Sequence, residues 1–219
     1  IGEDITDRLQ AQQALQLHAH VFASATEAIL ITDDQGKILT TNHAFSQIFG
    51  YSQDEIMGKD ARFLQSDRHD QAFYQQMARA LVEVGKWRGE LWMRSKEGMP
   101  IPTLTSINAV RNNAGEVTHY VLLSNDITLL KATEEHLRHL ANHDPLTDLP
   151  NRTLFFDRLS HALSRAKRSN TRVAVLYIDL DGFKEVNDAH GHEVGDMVLK
   201  AVAQRLRNSL RASDTVARL

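Results

Sequence analysis

The sequence predicts an α+β domain followed by a unit of α/β character, with a helix between them. Three observations carry this. Five short strand-like runs punctuated by Gly and Asn turns fill the first 125 residues, with helical stretches between the second and third. Residues 128–142 then run without Gly or Pro. After residue 143 an amphipathic stretch, an apolar run and a second amphipathic stretch alternate, as in one layer of helices on a sheet.

The elements follow in order. Residues 7–24 are rich in helix formers and predict a helix. Ala28–Thr32, a turn at Asp33-Asp-Gln-Gly36 and Lys37–Thr41 predict a hairpin. Short helices are expected at Ala44–Phe49 and Gln53–Met57, set apart by Gly50 and Gly58. From His69 to Val84, apolar residues at Phe73, Met77, Ala80, Leu81 and Val84 fall on one helical face, and Gly85 stops the helix. Strands are expected at Trp87–Arg94, Ile101–Val110 and Val117–Asn125, with turns at Lys96-Glu-Gly98 and Asn112-Asn-Ala-Gly115. In the second unit Leu154–Ser169 is amphipathic with Asn151 as a plausible N-cap, and Val194–Leu210 repeats apolar residues at helical spacing. Between them Val173–Ile178 reads as a strand apolar on both faces.

Composition excludes several classes. With 219 residues, 42% apolar and 24% charged, the chain is ordinary globular protein. A net charge of −3 gives no basic field for nucleic acid. No apolar run reaches the roughly 18–20 residues that span a bilayer. The absence of cysteine excludes disulfides, thiolate nucleophiles and Cys-ligated zinc, and suits a reducing cytoplasm; a parent protein could still be membrane-tethered through other regions. His136, His139, His190 and His192 gather too few ligands for a zinc site.

The order of Asp33-Asp-Gln-Gly36, Asn42, Phe49-Gly-Tyr51, Gly85-Lys-Trp-Arg-Gly-Glu90, Lys96-Glu-Gly98 and Asn125-Asp-Ile-Thr128 resembles a PAS sensor domain. The resemblance implies an antiparallel five-stranded sheet that cups a ligand against helices, or else serves as a dimerising connector. Asp60-Ala-Arg-Phe-Leu-Gln65 is similar to the segment that carries the photoreactive cysteine of flavin-binding light sensors, but Ala61 stands at that position, which excludes adduct photochemistry. Noncovalent flavin stacked on Trp87 or Trp92, haem on His69, a small organic ligand and an empty core remain as readings. His69 is similar in placement to the proximal histidine of haem-binding PAS sensors, at the start of the long helix.

In residues 128–142, Leu130 and Leu137, and Thr133 and Leu140, lie seven apart, which suits two heptads of a parallel coiled coil or a surface helix. Asp4-Ile-Thr6 with Leu15 recurs as Asp126-Ile-Thr128 with Leu137, each pair opening a helical stretch. The chain thus reads as beginning at the exit of a preceding PAS domain. The expected division is 1–20 as an incoming connector, 21–128 as the PAS domain, 129–142 as a signalling helix and 143–219 as the second domain, with homodimerisation through the PAS domain and that helix.

The chemistry concentrates after the apolar run. A strand ending in Asp179 and Asp181 presents hard oxygen ligands to a divalent cation. Lys184 carries a charge suited to phosphate, while Asn187 and Asp196 have the donor and acceptor groups to read a base edge. The ligand this implies is a metal-bound purine nucleoside triphosphate. Together with His143-Asp-Pro-Leu-Thr147, Phe183-Lys184, Asn187-Asp188, Gly191-His192 and Gly195-Asp196, these residues resemble the first half of a GGDEF domain of the diguanylate cyclase family. The resemblance implies a ferredoxin-like, nucleotidyl-cyclase palm fold and condensation of two GTP, one per protomer, to cyclic di-GMP. Asp179 matches the Mg²⁺-binding position and the Leu180 carbonyl a companion ligand. Gly182, Phe183 and Lys184 match triphosphate contacts, Asn187 and Asp196 guanine contacts, and Leu146 an apolar contact beneath the base; Asp179 and Lys184 are the catalytic candidates.

The family's name-giving hairpin would follow Ala217-Arg-Leu219 and is absent from this sequence. The 219-residue polypeptide is accordingly expected to form no cyclic di-GMP from GTP and Mg²⁺, and any measurable product would overturn this. The edge of the Val173–Ile178 strand is expected to promote self-association or disorder. Two parents fit: a sensor-controlled diguanylate cyclase, or a tandem protein whose GGDEF domain only binds GTP and regulates a downstream cyclic di-GMP phosphodiesterase. Leu149-Pro-Asn-Arg152 resembles the variant met in such tandem proteins. A nonenzymatic dimerisation module is the third reading.

Overall fold

The computed structural model of the chain describes residues 2–211 and 213–219, with side chains from Arg8 onward. It divides into two compact units, one up to Lys131 and one from Ala132. Of the predicted connector 1–20, Ile1 lies outside the described residues. Helix α1 (Gly2–Ser24) covers the remainder and continues four residues further.

In the first unit, strands β1 (Ala28–Asp33) and β2 (Ile38–Thr41) form the predicted hairpin around Gly36, whose φ of 84° is one that L side chains rarely adopt. Then come α2 (His43–Phe49), α3 (Gln53–Ile56), a 3₁₀ turn at Ala61–Leu64 and α4 (Gln71–Glu83). The closing strands β3 (Lys86–Arg94), β4 (Pro100–Arg111) and β5 (Val117–Asp126) complete an antiparallel sheet ordered β2-β1-β5-β4-β3. β3 is therefore an edge strand.

Strand register decides which residues meet the helices. Leu30 opposes Leu122, Leu122 opposes Ile107, and Leu91 opposes Thr103, so one face carries Ala28, Leu30, Leu122, Ile107, Leu91 and Met93. Phe45 and Phe49 of α2, Ile56 of α3 and Leu64 pack onto that face, and all are essentially inaccessible to water. Each such side chain contributes roughly 1.5–3 kcal/mol of transfer free energy. Inside this apolar layer runs a row of buried hydroxyls. Thr103 Oγ1 donates to the Leu91 carbonyl at 2.7 Å, Thr105 Oγ1 lies 2.8 Å from Thr103 Oγ1, and Ser124 Oγ lies 2.9 Å from Thr105 Oγ1. With one proton per hydroxyl, the direction that satisfies every link is Ser124 to Thr105 to Thr103 to the carbonyl.

Asn42 pins α2 to the sheet. Its Oδ1 accepts from the Phe45 and Ile29 amides, and its Nδ2 donates to the Glu27 carbonyl. One side chain thus caps a helix and fastens it to β1. Nearer the surface, Lys96 and the amide and hydroxyl of Ser52 hold the Glu55 carboxyl down to about 2, and Arg62 holds Asp60 at about 2.

Helix α5 (Thr128–Asn142) is capped by Asp126, whose Oδ1 accepts the Thr128 amide at 2.8 Å. Leu130, Leu137 and Leu140 of this helix are exposed. In the second unit, α6 (Arg152–Ser169) starts at the predicted cap, with Asn151 Oδ1 accepting the Leu154 amide. α7 (Phe183–His190) and α8 (His192–Ser209) pack against each other across Gly191.

One predicted element is corrected. Residues 173–178 form no strand: Leu176, Tyr177 and Ile178 are 77%, 78% and 64% exposed, and no described segment pairs with them. A strand is defined by the ladder to its neighbour, so apolar, β-branched composition alone leaves an extended segment. α7 was not expected, because its Asn and Asp are weak helix formers and glycines flank it on both sides.

Candidate functional site

The α7–α8 corner assembles most of the nucleotide-site candidates. Gly182, with φ of 74°, is the N-cap of α7, so the chain turns there from the Asp179–Leu180 segment into a helix. The first-turn amides of Lys184 and Glu185 precede the first i to i−4 bond, Val186 N–H to the Gly182 carbonyl. Free amides at a helix start are suited to phosphate oxygens, and the exposed Lys184 adds a positive charge beside them.

Further along, α7 turns Asn187 onto α8. A Cβ built on the buried Gly195 would sit 1.9 Å from Asn187 Oδ1, so only glycine leaves room for this carboxamide. Asp196, next in sequence to Gly195, is exposed. An amide and a carboxylate together have the donor and two acceptors that a guanine edge requires.

Other candidates stand apart. The exposed Asp179 carboxylate accepts its neighbour's amide, Leu180 N–H, at 3.0 Å. Among the described residues no three His, Cys, Asp or Glu side chains converge as a metal cage. Two aspartates and a main-chain carbonyl nevertheless suit Mg²⁺, which takes one or two carboxylates and completes its shell with water and phosphate. Leu146 lies half-buried in the loop 143–150, away from α7 in sequence.

That loop holds polar contacts that sequence spacing does not predict. Asp144 Oδ2 accepts the amide and hydroxyl of Thr147, and both carboxylate oxygens accept from the Arg218 guanidinium. Burial opposes ionisation of Asp144, yet the Thr147 and Arg218 hydrogen bonds hold its carboxyl below the ordinary value. Asp148 adopts a left-handed φ of 57°, pairs with His139 of α5 at 2.7 Å, and accepts Arg207 of α8 at its carbonyl. No sequence spacing links residues this far apart.

In the first unit a cavity of about 150 Å³ lies between the sheet and helices, lined among others by Leu64, Met77, Leu91, Met93, Ile107 and Leu122. Of the three residues named as ligand contacts, Trp92 contributes to its lining, while Trp87 and His69 do not. β3 is unbroken in register, so Trp87 shares the core face with Leu91 while Trp92 points to the other face, its ring under the Arg68 guanidinium. His69 precedes α4 and its N-cap Asp70, not within the helix as predicted. Its Nε2 accepts the Trp92 amide at 3.1 Å, and its ring stacks on Phe73 at 3.8 Å. The lone pair that would ligate haem iron is therefore already engaged.

The comparisons agree with this two-part organisation. A PAS domain family model matches residues 26–129, and the model described as diguanylate cyclase, GGDEF domain, matches residues 141–219. The chain carries a PAS domain followed by a GGDEF domain. Its sheet and helices resemble the PAS domain structure of a protein from Colwellia psychrerythraea, with a TM-score of 0.50 and 24% identity over 53% of this chain and 98% of that one. Among curated relatives, the bifunctional diguanylate cyclase/cyclic di-GMP phosphodiesterase MucR of Pseudomonas aeruginosa is 54% identical over 42% of this chain and 13% of its own length. The cyclic di-GMP phosphodiesterase PdeR of Escherichia coli is 32% identical over 93% of this chain and 31% of its own length. The probable diguanylate cyclase DgcE of Escherichia coli is 28% identical over the whole chain and 20% of its own length. The chain thus spans less than a third of each of these relatives.

Proposed function

We propose that this chain is part of a bacterial, cytoplasmic cyclic di-GMP signalling protein in which a PAS domain controls a GTP-binding GGDEF domain. In this reading residues 1–20 lead in, 21–128 sense, 129–142 transmit and 143–219 bind nucleotide. The observation that carries it is the α7–α8 corner, where the free first-turn amides and the Lys184 charge share one short helix with Asn187, which packs on Gly195 within the segment matched by the GGDEF model. Asp179 and the Leu180 carbonyl would hold Mg²⁺, whose charge offsets that of the triphosphate. The main chain at Gly182 and Phe183 would contact the triphosphate once the Phe183 amide leaves the Leu180 carbonyl it now bonds at 3.3 Å, Leu146 would add an apolar surface, and Lys184 a phosphate contact. The exposed Leu130, Leu137 and Leu140 support association of α5 with the same helix of a second copy.

The parent's output is either cyclic di-GMP synthesis or its hydrolysis by a further domain that the GGDEF part regulates. The second reading is retained because the phosphodiesterase PdeR matches 93% of this chain. For the sensor, the cavity's largely apolar lining, which includes no described histidine, favours a small apolar ligand or none over haem.

Calorimetric titration with Mg–GTP tests the nucleotide reading. Binding is expected with Mg–GTP and not with Mg–ATP, and D179A is expected to weaken it by about tenfold or more, the effect of losing a charged ligand. Equal affinity for GTP and ATP, or no effect of the substitution, would reject the assignment.

A further inference from the structure

Edge strand β3 leaves backbone groups unpaired on its outer side, and the loop 65–69 covers part of that edge. Gln65 bridges Met93, and His69 Nε2 takes the Trp92 amide. A backbone N–H can only donate, so Nε2 must be unprotonated and His69 neutral. The ring is held by Phe73, stacked at 3.8 Å and 7°, and by Tyr74, edge-on at 5.9 Å, both from α4. Any change at this ring is therefore felt by the loop, the edge of the sheet and α4 together.

We propose that His69 is a proton-operated latch on the sensor sheet, and that Glu90 relays its state to α5, an inference that rests on the reading of the first unit as the sensing half. A proton on Nε2 would set N–H against N–H where a hydrogen bond now stands, so the imidazolium must leave the Trp92 amide. The charged groups around it decide where it turns. Asp70 lies on its own loop and Glu90 on β3; both attract a positive ring. Arg68 is committed to the face of Trp92, and burial keeps the Tyr74 phenol above its ordinary value, hence neutral in this range.

Glu90 is the informative neighbour. Its carboxylate pairs with Lys131 Nζ of α5 at 2.7 Å. A protonated His69 is a second cation competing for that carboxylate, and when it wins, the tie on the first turn of α5 loosens. Burial already keeps the imidazole below its ordinary value of 6.5, although Asp70 and Glu90 oppose this. The folded state therefore takes up the proton at lower pH than the unfolded chain does. The stability contributed by neutral His69 is full above pH of about 6.5 and is lost as pH falls from there through the folded value.

The chain has no cysteine, so one introduced thiol can be labelled uniquely. The test follows the His69 ring and the Trp92 amide by NMR from pH 8 to pH 5, together with a nitroxide at E134C on the exposed side of α5. Ring, amide and nitroxide mobility are expected to change with one midpoint, below the ordinary histidine value of about 6.5. H69Q keeps an acceptor for the Trp92 amide and is expected to abolish both the amide and nitroxide transitions. E90Q is expected to leave the ring and amide titrating while removing the nitroxide response. A Trp92 amide that does not follow His69, a nitroxide response that survives H69Q, or a nitroxide unchanged across the range in the parent chain overturns the latch. Mg–GTP affinity is a separate measurement on the other unit, so loss of the nucleotide reading is distinguishable from loss of this one.

Discussion

Replacing Asn42 with alanine is expected to destabilise the PAS unit by about 3 kcal/mol, the sum of a lost helix cap and buried partners left unpaired. Asn42 is 3% exposed, and its carboxamide serves the amides of Ile29 and Phe45 at 2.9 and 3.0 Å and the Glu27 carbonyl at 2.9 Å. Water cannot replace these contacts without entering the core. Asn42→Asp retains the two acceptor bonds and loses the donor, so its cost is expected to be intermediate. Both tryptophans, Trp87 and Trp92, lie in β3, so their emission during urea unfolding reports on this unit alone. A loss below about 1 kcal/mol for the alanine variant would mean the cap is dispensable.

Gly195→Ala is expected to separate stability from binding. The added methyl would sit 1.9 Å from Asn187 Oδ1, but that atom is the end of a side chain that can rotate away, so the corner should still fold. Alanine in a helix is favoured over glycine by about 1 kcal/mol, which offsets the cost of displacing the Asn187 side chain, so the variant is expected to stay folded. The carboxamide is then displaced from its place against α8. Mg–GTP affinity is expected to fall by about tenfold or more, the effect of losing a paired polar contact, with little change for the triphosphate portion. Unaltered affinity in a folded G195A protein would remove Asn187 from the site.

Much of the PAS unit was legible because its signals are local. Glycines at 36, 50, 85, 98 and 115 all take positive φ, marking the turns where sequence spacing puts them, and the apolar residues between them alternate or recur at helical spacing. The errors have a common physical origin. Val173–Ile178 has strand composition, but pairing depends on a neighbour that composition does not encode. The roles of Asp148, Arg207 and Arg218 depend on contacts across 59 and 74 residues, which leave no periodic trace. His69 reads as a candidate haem ligand at a helix start, but it lies before the helix with a backbone amide as partner, and no side-chain pattern reveals that.

The buried hydroxyls of Ser124, Thr105 and Thr103 bear on how the sheet assembles. Thr105 opposes Ser124 on the neighbouring strand. Sliding β5 by one residue would turn Ser124 to the opposite face and bring Leu123 or Asn125 against Thr105, stranding hydroxyls in an apolar layer at about 1–3 kcal/mol each. Apolar residues at these positions would pack in many offsets with little preference. The row therefore works as a checksum on strand alignment: it adds little to the strength of the sheet and penalises every arrangement but one.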